Sequence, residues 1–179
     1  MKDLNMIFAG FGGQGVLFAG KVVAYAGLIE GRELSWLPSY GPEMRGGAAN
    51  CSVIISDEEI GSPLVVTPDL LIAMNLPSFT KFAPAVGEGG LIIYDSSLIS
   101  ESANRTDIRA AGIPATAMAS DAGLTGMANV IILGYLLKLT GLFEYEAFLA
   151  HMVEGIPAAK AALIEKNKKA LELGYNYAE

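Results

Sequence analysis

A short apolar run, Leu4 to Ala9, breaks directly into Gly10-Phe11-Gly12-Gly13-Gln14-Gly15, and a segment of helical periodicity follows from Gln14 to Glu30. This glycine turn is the tightest constraint in the chain. It forces a compact strand-to-helix connection and leaves the unpaired N–H groups of a helix N-terminus at the carboxyl end of a strand. In the helix Val16, Ala19, Val23 and Ala26 share one face, widened by Leu17 and Leu28. Gly31 is placed to end it. Glu33 to Leu37 gives a second strand, stopped by Pro38.

The spacing G-x-G-x-x-G admits three readings. The glycines let the helix pack close on the sheet, or they admit a phosphate or another polar ligand, or they open a dinucleotide site. The third reading requires an Asp or Glu about 20 residues on, at the end of the second strand. That strand ends in Trp36-Leu37-Pro38-Ser39-Tyr40, and Glu30 and Glu33 lie at its other end. Gln14 adds a side-chain amide for a ligand or for a facing loop.

Ser39-Tyr40-Gly41-Pro42-Glu43-Met44-Arg45-Gly46-Gly47 follows the second strand. In a parallel sheet it shares the carboxyl edge with the glycine turn. Arg45, followed by two glycines, is suited to a carboxylate or phosphate in bidentate fashion. Glu43 either pairs with Arg45 or serves a substrate or partner. Tyr40 and Trp36 offer aromatic surface of the kind found at interfaces.

Farther along, the pattern predicts strands at Ala49 to Ser56, Asp69 to Met74, Leu91 to Asp95 and Ile113 to Ala119, with an extended piece at Ile60 to Val66. Helices are predicted at Pro77 to Val86, Thr125 to Thr140, Glu144 to Glu154 and Pro157 to Leu173. Asp57-Glu58-Glu59 is too short for a crossover, so the strands on either side of it are expected to pair antiparallel. Asp121 to Asn129 is expected at the carboxyl edge, with Asp121 or Thr125 capping the next helix. The fold class expected is α/β: three layers, α/β/α, on a mixed, mostly parallel Rossmann-like sheet, in a single domain over 1–179.

Composition narrows the function. Of 179 residues 52% are apolar and only 17% charged, against about a quarter charged in ordinary domains; part of the surface is expected to be covered by another protein. The net charge of −7 excludes backbone-driven nucleic-acid binding. Cys51 and His151 are the sole residues of their kinds. One Cys makes no disulfide and no iron–sulfur or zinc site by itself. Cys51 reads as a buried inert thiol and His151 as a surface or packing residue. Met127 to Leu137, the most apolar stretch, is well short of the ~20 residues of a membrane span. With no signal-peptide pattern at Met1 to Gly15, a cytoplasmic protein is expected.

The two loops taken together, with Asn50-Cys51-Ser52-Val53-Ile54-Ile55-Ser56 after them, resemble the gamma subunit of 2-oxoacid:ferredoxin oxidoreductases across essentially the whole chain. The form Ser39-Tyr40-Gly41-Pro42-Glu43-Met44-Arg45-Gly46-Gly47 is most similar to the branch acting on 2-oxoglutarate or related oxo acids. The resemblance implies oxidative decarboxylation of a 2-oxo acid with coenzyme A to acyl-CoA and carbon dioxide, with ferredoxin as electron acceptor. It implies alpha and beta subunits, and a ferredoxin-like delta subunit, as partners. Thiamine diphosphate, Mg2+ and 4Fe-4S clusters would sit on those partners, with none bound by this chain alone and coenzyme A as co-substrate. The gamma chain is implied to be accessory, without catalytic residues. Its residues facing the ligand or active site would be Gly10, Gly12, Gly13, Gln14, Gly15, Ser39, Tyr40, Gly41, Glu43, Met44, Arg45, Gly46 and Gly47. The acidic charge sits awkwardly with a polyanionic ligand, which Lys21, Arg45 and backbone amides would have to offset. The competing readings are a stand-alone NAD(P)-dependent oxidoreductase and a nucleotide- or coenzyme A-binding module.

Overall fold

The computed structural model describes residues 3–39, 48–154 and 161–178. Strand β1 (Leu4–Phe11) leads through the glycine turn into helix α1 (Val16–Ile29) and strand β2 (Glu33–Ser39). Strands β3 (Ala48–Ser56) and β4 (Leu70–Ala73) follow, then α2 (Leu76–Phe82), which runs on into one 3-10 turn at Ala83–Ala85. Strands β5 (Leu91–Asp95) and β6 (Arg109–Ile113) precede four helices: α3 (Ala115–Asp121), α4 (Ala128–Thr140), α5 (Tyr145–Glu154) and α6 (Ala161–Tyr175).

The six strands lie in the order β2-β3-β1-β4-β5-β6. β1, β4, β5 and β6 are parallel, while β3 is antiparallel to both β1 and β2. β2 therefore runs in the direction of β1, and β3 alone is reversed. The expected α/β class with a mixed, mostly parallel sheet is the one observed. Alternation divides each central strand between two cores. Met6 and Phe8 of β1 enter the larger one, with residues of α1, α3, α4, α5 and α6. Ile7 and Ala9 enter the smaller one, with Phe79 of α2, Ala83 and Ile99.

Three expectations are corrected. The reversed strand does not pair with 60–66, which forms no strand; it pairs with β1 and β2 instead. Gly61, Pro63 and Pro68 interrupt that connection, and prolines withhold the N–H donors a ladder needs. The strand expected at 113–119 is displaced: β6 ends at Ile113, and α3 begins at Ala115. Pro114 stops the strand, and Ala-Thr-Ala-Met-Ala favours a helix. Neither Asp121 nor Thr125 caps α4. Asp121 closes α3, and the α4 cap position is Met127, which makes no side-chain cap.

Gly31 does end α1: with φ +78° it closes a Schellman pair, Arg32 N–H to Gly27 O at 3.1 Å and Gly31 N–H to Leu28 O at 2.9 Å. Two glycines let α1 lie close on β3, because a Cβ at Gly20 would strike the Cys51 sulfur and one at Gly27 would press on Ile55. This contact seals Cys51 completely, and burial pushes its thiol up to about 12. The outer side of α1 is also apolar: Phe18, Tyr25, Leu28 and Ile29 are 41 to 53% exposed. In α4 every residue from Asn129 to Leu137 is buried. α6 crosses it at Gly134 and Gly174, where a Cβ would collide with the facing backbone.

Candidate functional site

The chain leaves β1 toward β2 on one side of the sheet and continues from β4 through β5 to β6 on the other. The switch point lies between β1 and β4, and in open α/β sheets ligands bind in the crevice outside the carboxyl ends of the strands there. A cavity of about 400 Å³ occupies that position. Gly13 and Gln14 come from the turn after β1, Met74 follows β4, and Leu98 follows β5. Thr116, Ala119 and Ser120 come from α3, and Thr125, Gly126 and Ala128 from its junction with α4. The walls are apolar with three hydroxyls, and among the described residues no ionisable side chain lines them.

The glycine turn is held from both ends. Gln14 Oε1 accepts the Phe11 N–H at 2.6 Å, and Gln14 Nε2 donates to Met74 O at 2.8 Å. The amide thus straps the turn to the end of β4, which meets the facing-loop expectation and engages both ends of the side chain. Gly10 lies under this strap, where a Cβ would stand 2.7 Å from Gln14 Oε1 and 2.8 Å from Val16 Cγ1. Gly13 at φ +100° and Gly15 at φ +75° take left-handed backbone, whereas Gly12 does not. Gly15 is the α1 cap residue, with no side-chain cap. From below, Asn129 Nδ2 donates to Gly15 O at 3.2 Å, while its buried Oδ1 has no partner among the described residues.

Across the crevice, Asp95 at the end of β5 is wholly buried. It accepts from Thr116 Oγ1 at 2.5 Å, from the Thr116 N–H at 3.2 Å and from the Ser97 N–H at 3.0 Å. A carboxylate so supplied fixes the start of α3 and orients the Thr116 hydroxyl, whose proton is committed to it.

Of the sequence-predicted residues, Gly10, Gly12, Gly13, Gln14 and Gly15 come together at the switch point, and Gly13 and Gln14 line the cavity. Ser39 is exposed at the end of β2, opposite Asn50. Tyr40, Gly41, Glu43, Met44, Arg45, Gly46 and Gly47 lie outside the described residues. Their flanks are fixed: Ala48 pairs with Phe11 and Ser39 with Asn50, so both stand at the carboxyl edge of β1, on the side away from the cavity. Lys21 is not in the cavity wall; it is exposed on the outer face of α1. His151 is half-buried in α5. The segment Asp121 to Asn129 does reach the carboxyl edge as expected, with Thr125, Gly126 and Ala128 in the cavity wall; sequence reading missed Leu98, Thr116, Ser120 and the bond by which Asn129 clamps Gly15. A single Asn inside the apolar run of α4 was the available signal, since buried amides need partners.

The inserted strand also bears on the dinucleotide reading. With β3 between β1 and β2, the end of β2 lies about 10 Å from β1, two strand spacings instead of one. An acidic residue there would be displaced from a ribose bound at the glycine turn, and β2 ends in Pro38 and Ser39.

The family model described as pyruvate ferredoxin/flavodoxin oxidoreductase matches residues 5–177. Ketoisovalerate oxidoreductase subunit VorA of Methanothermobacter thermautotrophicus is 45% identical over 98% of this chain and 36% of that protein. The chain thus spans little more than a third of that relative. 2-Oxoglutarate synthase subunit KorC of Methanocaldococcus jannaschii is 35% identical over 99% of this chain and 94% of KorC. Among solved structures, the gamma subunit of a keto/oxoacid ferredoxin oxidoreductase from Geobacter sulfurreducens superposes with a TM-score of 0.81 at 30% identity, over 96% of each chain. Sequence match and shared sheet agree along the whole length: the chain belongs to the pyruvate ferredoxin/flavodoxin oxidoreductase family.

Proposed function

We propose that this chain is the gamma subunit of a multi-subunit enzyme. That enzyme oxidatively decarboxylates a 2-oxo acid with coenzyme A to acyl-CoA and carbon dioxide and passes the electrons to ferredoxin. The observation that carries this reading is the family match over residues 5–177, in a chain whose switch-point crevice is lined, among the described residues, by hydroxyls and the Gln14 amide rather than acid–base groups. Such a crevice binds and positions; it does not move protons. On this reading the crevice and the turn at Gly10 to Gly15 face the coenzyme A region, and the segment Ser39 to Gly47 is given to the same ligand.

The described residues do not fit an iron–sulfur cluster or a bound metal ion. Cys51 is sealed under α1 with its thiol protonated, and among the described residues no three His, Cys, Asp or Glu side chains converge. Thiamine diphosphate, Mg2+ and iron–sulfur clusters are assigned to the alpha, beta and delta partners, where the chemistry takes place. The loop wording favours 2-oxoglutarate, while the VorA relative is named for ketoisovalerate. These are the two substrates to assay first.

The test is anaerobic affinity purification of the chain from its own cells, followed by reduction of a viologen dye with each 2-oxo acid. Larger co-purifying subunits and coenzyme A-dependent dye reduction are expected. A chain that purifies alone, with no such activity, would overturn the proposal.

A further inference from the structure

Helix α1 is apolar on both sides. Its inner face packs on β1, β2 and β3 through Val16, Ala19, Val23 and Ala26. Its outer face carries Phe18, Tyr25, Leu28 and Ile29 in one stripe at helical spacing, 41 to 53% exposed. The stripe spans about 17 Å, and Phe11, 39% exposed at the end of β1, lies beyond its N-terminal end. Lys21 is the one charge within it, and among the described residues it forms no ion pair. A helix apolar all round is ordinarily covered all round, and an apolar centre holding aromatic residues is the composition of an interface core.

We infer that the outer face of α1 is the docking surface for the larger subunit of the same enzyme, the counterpart of the nearly two thirds of VorA that lies outside the match to this chain. This rests on the subunit reading above. In VorA the equivalent of this domain is covalently joined to that larger portion, whereas KorC is matched over 94% of its length by this chain alone. A domain found both joined and separate must hold its neighbour without the joining peptide, through surface of its own. The occupant presents an apolar ridge or groove with a carboxylate opposite Lys21. A second copy packed stripe to stripe brings another lysine and no acid, and so leaves that charge unanswered.

The test compares tagged full-length chains purified anaerobically from their own cells. The co-purifying subunit is identified by mass spectrometry and quantified per tagged chain. Tyr25→Asp with Leu28→Asp is expected to lower its recovery tenfold or more. Lys21→Glu should weaken recovery and Lys21→Arg preserve it. Leu64→Asp with Val66→Asp, at residues 65% and 79% exposed on the connection before β4, should leave recovery unchanged. All positions are solvent-facing, and equal unfolding midpoints of the purified variants confirm that the fold is kept. Undiminished recovery with the α1 variants would overturn the docking surface and leave the subunit reading standing. Absence of the larger subunit from the wild-type preparation would overturn both. Self-association of the wild-type chain that the α1 variants abolish would assign the stripe to a second copy and overturn the inference.

Discussion

Gly15 and Asn129 are fitted to each other at atomic distance. The place a Cβ would take on Gly15 is occupied by the Asn129 amide, and the backbone there is left-handed at φ +75°. Gly15→Ala therefore meets two penalties: about 1–2 kcal/mol for the left-handed backbone, and a steric clash in addition. Removing the amide in the Gly15→Ala, Asn129→Ala double variant relieves the second and keeps the first. Urea titration of the four chains should show strong non-additivity, the double variant losing less than the two single losses combined. Additive losses would mean that the two residues do not oppose each other. Cys51 gives a second residue-scale prediction. Its thiol titrates near 9.0 when unfolded and about 12 when folded. Between those values the unfolded chain releases a proton that the folded chain keeps. The stabilisation is complete below pH 9 and is lost as pH rises toward 12, at up to about 1.4 kcal/mol per pH unit. Cys51→Ala should lower stability at neutral pH yet flatten its fall between pH 9 and 12.

At the scale of elements, α4 and α6 meet backbone to backbone at Gly134 and Gly174. No side chain lies between them there, so nothing can give way when one is added. Gly174→Ala should force the helices apart at a cost of about 3 kcal/mol, read as a lowered thermal midpoint, with Gly134→Ala comparable. The elements themselves were unevenly legible. β1, α1 and β5 announce themselves because apolar period and glycine or proline stops coincide, as at Gly31. Gly112-Ile113-Pro114-Ala115 hides its boundary, since the residues on both sides are small and apolar and only Pro114 marks the break. The strand order was out of reach, because the pairing of β3 with β1 is set by the packing of Cys51 and Ile55 under α1 and not by any local signal. The site divides likewise. The glycine turn is continuous in sequence and legible, whereas Leu98, Thr116 and Ser120 reach the same crevice from separate crossovers.

For the whole molecule, the two proposals divide the work, giving the crevice to the ligand and the outer stripe of α1 to the partner. The proposed function gives Arg45, which stands between Met44 and Gly46 in the sequence, a role toward the ligand. Arg45→Ala in the assembled enzyme should reduce coenzyme A-dependent turnover at least tenfold while the unfolding midpoint stays unchanged. Full activity would remove Arg45 from the site. The inserted strand has a consequence for how the chain is made. β1 precedes both of its neighbours in the sequence: β3 begins at residue 48 and β4 at residue 70. As synthesis proceeds, both edges of this apolar strand stay open until distant segments have emerged, while β2 and β3 can already pair as a ribbon. The centre of the finished sheet is thus the nascent chain's longest-lived sticky edge, the place where a chaperone would be expected to hold it and where aggregation would begin.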